Sequence, residues 1–159
     1  MKFNYYAFRA MYLHEMDRFK RTLMQSLFSP VLSTSLYFIV FGSVIGGYVE
    51  KIDGISYGSF IVPGLLMLTL LTQSISNTSF GIFFPKFNGT MYEILAAPIS
   101  TFEIVLAFVG AGATKTLIVG VVIFLTATFF VEVQVMYPLL MIFLLVLVAF
   151  TFALFGFLI

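Results

Sequence analysis

The chain has no cysteine and a single histidine, His14, among its 159 residues. Without thiols there is no disulfide framework, thiolate metal site or cysteine nucleophile, and one histidine makes no histidine cluster, so no resident metal is expected. Charge is scarce as well: 9% of residues are Asp, Glu, Lys or Arg against 61% apolar, and the mean hydropathy is +1.11. So few charges cannot coat a water-soluble surface. Eight basic and seven acidic side chains leave a net charge of +1, which gives no electrostatic basis for a nucleic-acid partner. No G-x-x-x-x-G-K-[ST] loop occurs, so any ATP-driven work falls to a partner. The apolar runs hold no Asp or Glu pair, and no motif supports Ser–Lys catalysis at Lys115, so the chain does not read as an enzyme.

What is present is a set of long apolar runs. Residues 23–48, 57–83, 104–131 and 139–159 are each long enough to cross the roughly 30 Å of a bilayer's hydrocarbon as a helix. The expected fold is all-α: a polytopic helical membrane protein with about four transmembrane helices in one domain. Pro30 lies near the start of the first run, and Gly42 and Gly46 near its end have the G-x-x-x-G spacing of close helix contacts. A polar turn at residues 50–54 leads to the second run, and Glu132 and Pro138 frame the turn before the fourth. The last run continues to Ile159 without a polar anchor, which reads as a portion of a longer protein.

Residues 1–21 hold five of the eight basic side chains, Lys2, Arg9, Arg18, Lys20 and Arg21. They also hold Tyr5, Phe8, Tyr12, Met16 and Phe19, spaced by three or four residues as one stripe of a helix. That pattern predicts an amphipathic helix in the headgroup region of the membrane lipid, with rings inserted, Arg9, His14, Asp17, Arg18 and Arg21 outward. Five basic residues before the first run and Lys86 after the second, against Lys51 alone in the first opposite loop, place the N-terminus and residues 84–103 in the cytoplasm.

The second half of the second run carries Thr69, Thr72, Gln73, Ser76 and Ser79 at helical spacing, a polar stripe for interhelix hydrogen bonds or for a substrate path. Lys115 stands well inside the third run, where an ammonium needs a partner, a cavity or an interface, and no partner is evident. Gly112, Thr116 and Gly120 put a small residue at every fourth position around it, suited to tight contact with another helix.

Residues 84–103 are the longest internal stretch that does not read as a span. Pro85 and Asn88-Gly89 punctuate its start and Pro98 its end. Thr90 with Glu93 has capping-box spacing and predicts a helix of about two turns, and Ser100 with Glu103 repeats it at the start of the third span.

Two segments, Tyr57-Gly58-Ser59-Phe60-Ile61-Val62-Pro63-Gly64 and Gly89-Thr90-Met91-Tyr92-Glu93-Ile94-Leu95-Ala96-Ala97-Pro98-Ile99-Ser100, carry a likeness to a known family. With them the chain resembles, over nearly its whole length, the permease subunits of type-2 ATP-binding-cassette (ABC) exporters. The resemblance implies export of a drug, lipid or glycan-type substrate across the bacterial inner membrane. It implies a homodimer or permease heterodimer working with a separate ABC ATPase that binds ATP and Mg. It further implies that residues 84–103 form the cytoplasmic coupling helix, with Lys86, Gly89, Thr90, Glu93, Leu95 and Pro98 at the ATPase contact. Glu93 would then be a docking contact and Pro98 would set the turn into the third span. Six spans are usual in that family, and only four are visible here; the missing part is expected to supply the partner of Lys115. The alternative reading is a non-transporting membrane scaffold or assembly protein.

Overall fold

The computed structural model describes residues 3–45, 56–131 and 135–159. Lys2, the Gly42/Gly46 spacing, the 50–54 turn with Lys51, and Glu132 lie outside the described residues or reach beyond them. Among the described residues all regular structure is helical: α1 (Tyr5–Arg21), α2 (Leu23–Tyr37, continued as a π-helix over Phe38–Ile45), α3 (Tyr57–Phe87), α4 (Thr90–Ala96), α5 (Thr101–Phe130) and α6 (Pro138–Leu158). Among the described residues four helices are long and apolar enough to cross a membrane, namely Leu23–Phe41, α3, α5 and α6.

Local chemistry fixes the helix ends. Asn4 caps α1 by accepting the Ala7 N–H, and Arg18, Lys20 and Arg21 occupy its last turn, where cations suit the helix dipole. Ser56 caps α3 by accepting the Ser59 N–H. Pro138 opens α6 at a position whose N–H would have no helical acceptor. The second span runs past Pro85, expected to mark its end, to Phe87. In the last turn a proline removes only one hydrogen bond, and termination falls instead to Asn88 and to Gly89, whose φ of +77° favours glycine.

Contacts between helices set their directions. Leu70 meets Gly120 and Thr78 meets Gly112, so α3 and α5 are antiparallel, as a helix pair joined by the short α4 must be. Ser74 meets Ala149 and Ser79 meets Gly156, so α6 runs parallel to α3. Tyr12 meets Thr114 and Glu15 meets Lys115, while Phe38 stacks on Phe130, so α1 and then α2 climb beside α5 in its own direction. The chain's start and α4 therefore lie at the same end of the bundle.

α5 is the axis of this arrangement. In its most apolar window 56% of residues are buried, against 17–22% for the other three spans. The row of small residues explains why. A methyl on Gly112 would collide with the Thr78 hydroxyl and one on Gly120 would lie 2.8 Å from a Leu70 methyl, so the two glycines let α3 approach closely. Near α4, buried Ile82, Ile104 and Phe108 gather Met11, Met91, Ile94, Ile99 and Phe157 into one apolar cluster shared by α1, α3, α4, α5 and α6.

Candidate coupling site

α4 has an inner and an outer side. Met91 and Ile94 turn inward onto the Ile82–Ile104–Phe108 cluster, which anchors the two turns to the ends of α3 and α5. Thr90, Tyr92, Glu93, Leu95 and Pro98 are exposed, Tyr92 at 79% and Leu95 at 62%, and Lys86 and Phe87 at the end of α3 are exposed as well. The residues singled out for ATPase coupling are thus each accessible, apart from the half-buried Gly89, which supplies the turn into α4.

The expected Thr90–Glu93 capping box is absent. Gly89 occupies the cap position in a left-handed conformation, Thr90 is already in the first turn, and no side chain caps the helix. Glu93 lies in the first turn, where a carboxylate suits the helix dipole, and is open to solvent. The second box is formed in full: Ser100 accepts the Glu103 N–H, and the Glu103 carboxylate accepts the Ser100 N–H at 2.9 Å. The same carboxylate accepts the Asn4 N–H, so Glu103, only 2% exposed, also fastens the start of α1.

α1 is fixed to α5 at two further polar points. The Tyr12 hydroxyl donates to Thr114 Oγ1 at 3.0 Å, and Lys115 Nζ meets Glu15 Oε2 at 2.7 Å. Both members of that pair are buried, at 5% and 4% side-chain exposure. Arg18 reaches the same Oε2 at 2.9 Å from one turn further along α1, and its guanidinium lies 6.0 Å from the Phe84 ring centre. The partner of Lys115, expected from beyond this chain, is therefore Glu15 within it. The sequence did carry a signal: Glu15 falls between Tyr12 and Phe19 at steps of three and four, inside the aromatic stripe.

That stripe also differs from expectation. Tyr5 is exposed, Phe8, Tyr12 and Met16 are half-buried, and Phe19 is buried, so the stripe is largely a protein seam. The physical reason is Glu15, whose carboxylate belongs beside Lys115 rather than in lipid. His14 is exposed, on the side expected for it.

The predicted polar stripe on α3 lies mostly away from the interhelix contacts. The buried ridge is Val62, Leu66, Leu70, Ser74, Thr78 and Ile82, at four-residue spacing. Thr69 and Thr72 donate to carbonyls of their own helix, Leu65 and Leu68. Among the described residues neither Gln73 nor Ser76 bonds another helix, and Ser76 and Thr72 are exposed. Of the five, Ser79 alone bonds another helix among the described residues, donating to Gly156 O at 2.8 Å. Ser74 donates to Ala149 O at 2.6 Å and Asn77 to Thr116 Oγ1 at 3.4 Å, two contacts that spacing alone did not single out. At the far end of the bundle a cavity of about 240 Å³ is lined only by apolar side chains, among them Val62, Met67, Phe124, Met136 and Met141.

The chain is similar to the protein named inner membrane transport permease YadH in Escherichia coli K12, and to its namesakes in Escherichia coli O157:H7 and Shigella flexneri. Each is 38% identical over 129 residues, covering 81% of this chain and 50% of the relative. The chain thus spans about half the length of the curated relatives it matches. No solved structure matches it. The profile of the ABC-2 type transporter family matches residues 6–159, and the chain belongs to that family.

Proposed function

We propose that this chain is the membrane-spanning part of an ABC export permease, driven by a separate ATPase subunit that docks on the outer side of α4. The observation that carries the reading is the two-sided build of α4. Met91 and Ile94 tie it to the ends of α3 and α5, while Tyr92 and Leu95 stay exposed beside Glu93. A load applied to that outer side reaches both helices at once, because Met91 and Ile94 pack against one cluster of Ile82 from α3 and Ile104 and Phe108 from α5. The permease works as a dimer with two ATPases, which bind ATP and Mg, and rocking of the spans moves a drug, lipid or glycan-type substrate outward. The names of the relatives support a bacterial inner-membrane location, and the family's role as transport subunits supports placing ATP hydrolysis in the partner.

The test is co-purification of the full-length tagged permease with its ATPase. Leu95→Asp puts a charge on the exposed side of α4 and removes association, whereas Leu68→Asn, on an exposed face of α3 far from α4, does not. Equal association of the two variants would end the docking proposal.

A further inference from the structure

The apolar seam between α1 and α5 does not by itself define how far along α5 the helix sits. Apolar contact is non-directional, so Phe8, Met11 and Phe19 do not by themselves forbid a slide of one helical turn, about 5.4 Å, and the Asn4–Glu103 and Tyr12–Thr114 hydrogen bonds oppose it only modestly. The charges oppose it strongly. Glu15 and Lys115 are each almost wholly enclosed, so a slide of one turn leaves the buried Lys115 ammonium without a counterion, while Glu15 keeps only Arg18 of its own helix. Buried ion pairs are best attested in this role, fixing register rather than adding stability.

The surroundings of the pair fit it to that task. Glu15 rests over Gly81 of α3, where a methyl group would come within 3.6 Å of Oε2 and 3.8 Å of the Arg18 guanidinium. The carboxylate thus bonds α5 through Lys115 and lies beside α3 where Gly81 leaves room for it, between the two helices that α4 joins. Lys115 lies 14 residues into α5, about 21 Å from its start at 1.5 Å per residue, so the contact is made deep in the bundle rather than at the α4 end. Beyond it, α1 passes through a single bent residue, Thr22 (φ −105°, ψ 14°), directly into α2.

We propose that the Glu15–Lys115 pair, beside Gly81, locks α1 to the α3–α4–α5 unit, so that a displacement delivered at α4 carries α1 with it and enters α2 at Thr22. Glu15 and Lys115 are positioning residues in this scheme. The lock follows from the structure alone, and its use in transport rests on the ATPase-docking reading above.

The experiment uses the full-length permease with its ATPase in lipid nanodiscs, spin-labelled at Ala10→Cys on α1 and Phe102→Cys on α5, both exposed positions. The native protein gives one narrow distance, unchanged between the nucleotide-free and ATP–vanadate states. Glu15→Gln or Lys115→Met broadens it, and permease-stimulated ATP hydrolysis falls roughly fivefold or more, the size of a typical coupling between sites. The reversed pair Glu15→Lys with Lys115→Glu, which keeps an ammonium and a carboxylate across the α1–α5 contact, restores both. Native widths in the single variants, or a native distance that changes with nucleotide, would overturn the lock. Should the single variants fail to fold, the reversed pair decides: native width supports the lock and a broad distribution overturns it. If no ATPase binds the native protein, the docking reading falls, and the nucleotide-free widths still judge the lock.

Discussion

One methyl group added at Gly156 probes a backbone-to-backbone contact between α6 and α3. The new Cβ would lie 2.6 Å from Ile75 O and 2.8 Å from Ile75 Cα, both backbone atoms that no rotamer change can move aside. Relief to ordinary van der Waals distance requires α6 to back away from α3 by about 1 Å, and overpacking of this kind costs about 1–3 kcal/mol. The same displacement stretches the hydrogen bonds from Ser74 to Ala149 O and from Ser79 to Gly156 O, together worth about 1.2 kcal/mol at the average found in membrane helices. Alanine returns up to ~1 kcal/mol of helix preference over glycine. The net loss for Gly156→Ala is therefore about 1–3 kcal/mol. Gly64→Ala on α3 is the control, because nothing stands within 4 Å of its Cβ and only the helix preference remains. The assay is reversible unfolding of the purified full-length permease in mixed micelles by added SDS, followed by far-UV circular dichroism. If the two variants unfold at the same SDS fraction, the backbone-to-backbone contact of α3 and α6 is refuted.

Loss of Glu15 and loss of Lys115 are not equivalent. Glu15→Leu leaves the Lys115 ammonium without a counterion and costs about 3–5 kcal/mol, whereas Lys115→Met leaves Glu15 paired with Arg18 and costs less; the same SDS titration ranks them. Ser100→Ala removes the cap of α5 and lowers stability by about 1 kcal/mol, and Glu103→Gln in addition speeds hydrogen exchange at the start of α1, read by mass spectrometry of its N-terminal peptide. Ser74→Ala costs about 0.6 kcal/mol while Thr72→Ala leaves the unfolding midpoint unchanged, since the Thr72 hydroxyl bonds only its own helix and is exposed.

Apolar run length and turn chemistry determined the four long helices, the two-turn helix before Pro98, the Ser100–Glu103 cap and the close-packing row of Gly112, Thr116 and Gly120. These are local properties, set within one or two helical turns of sequence. Facing direction was decided only by the tertiary structure. On α3 the polar set at Thr69 to Ser79 and the ridge from Val62 to Ile82 both repeat at helical spacing, and a period says that a face exists without saying which face meets protein. Thr72 could be turned outward because a hydroxyl can satisfy itself on the preceding turn, as that of half-buried Thr69 also does, an outlet that spacing does not reveal. The pairing of Lys115 with Glu15 was equally out of reach, because 100 residues separate them and only the climb of α1 beside α5 brings them together. The sequence established that an ammonium inside a span needs a partner, a cavity or an interface; the packing of α1 beside α5 decided for a partner, Glu15.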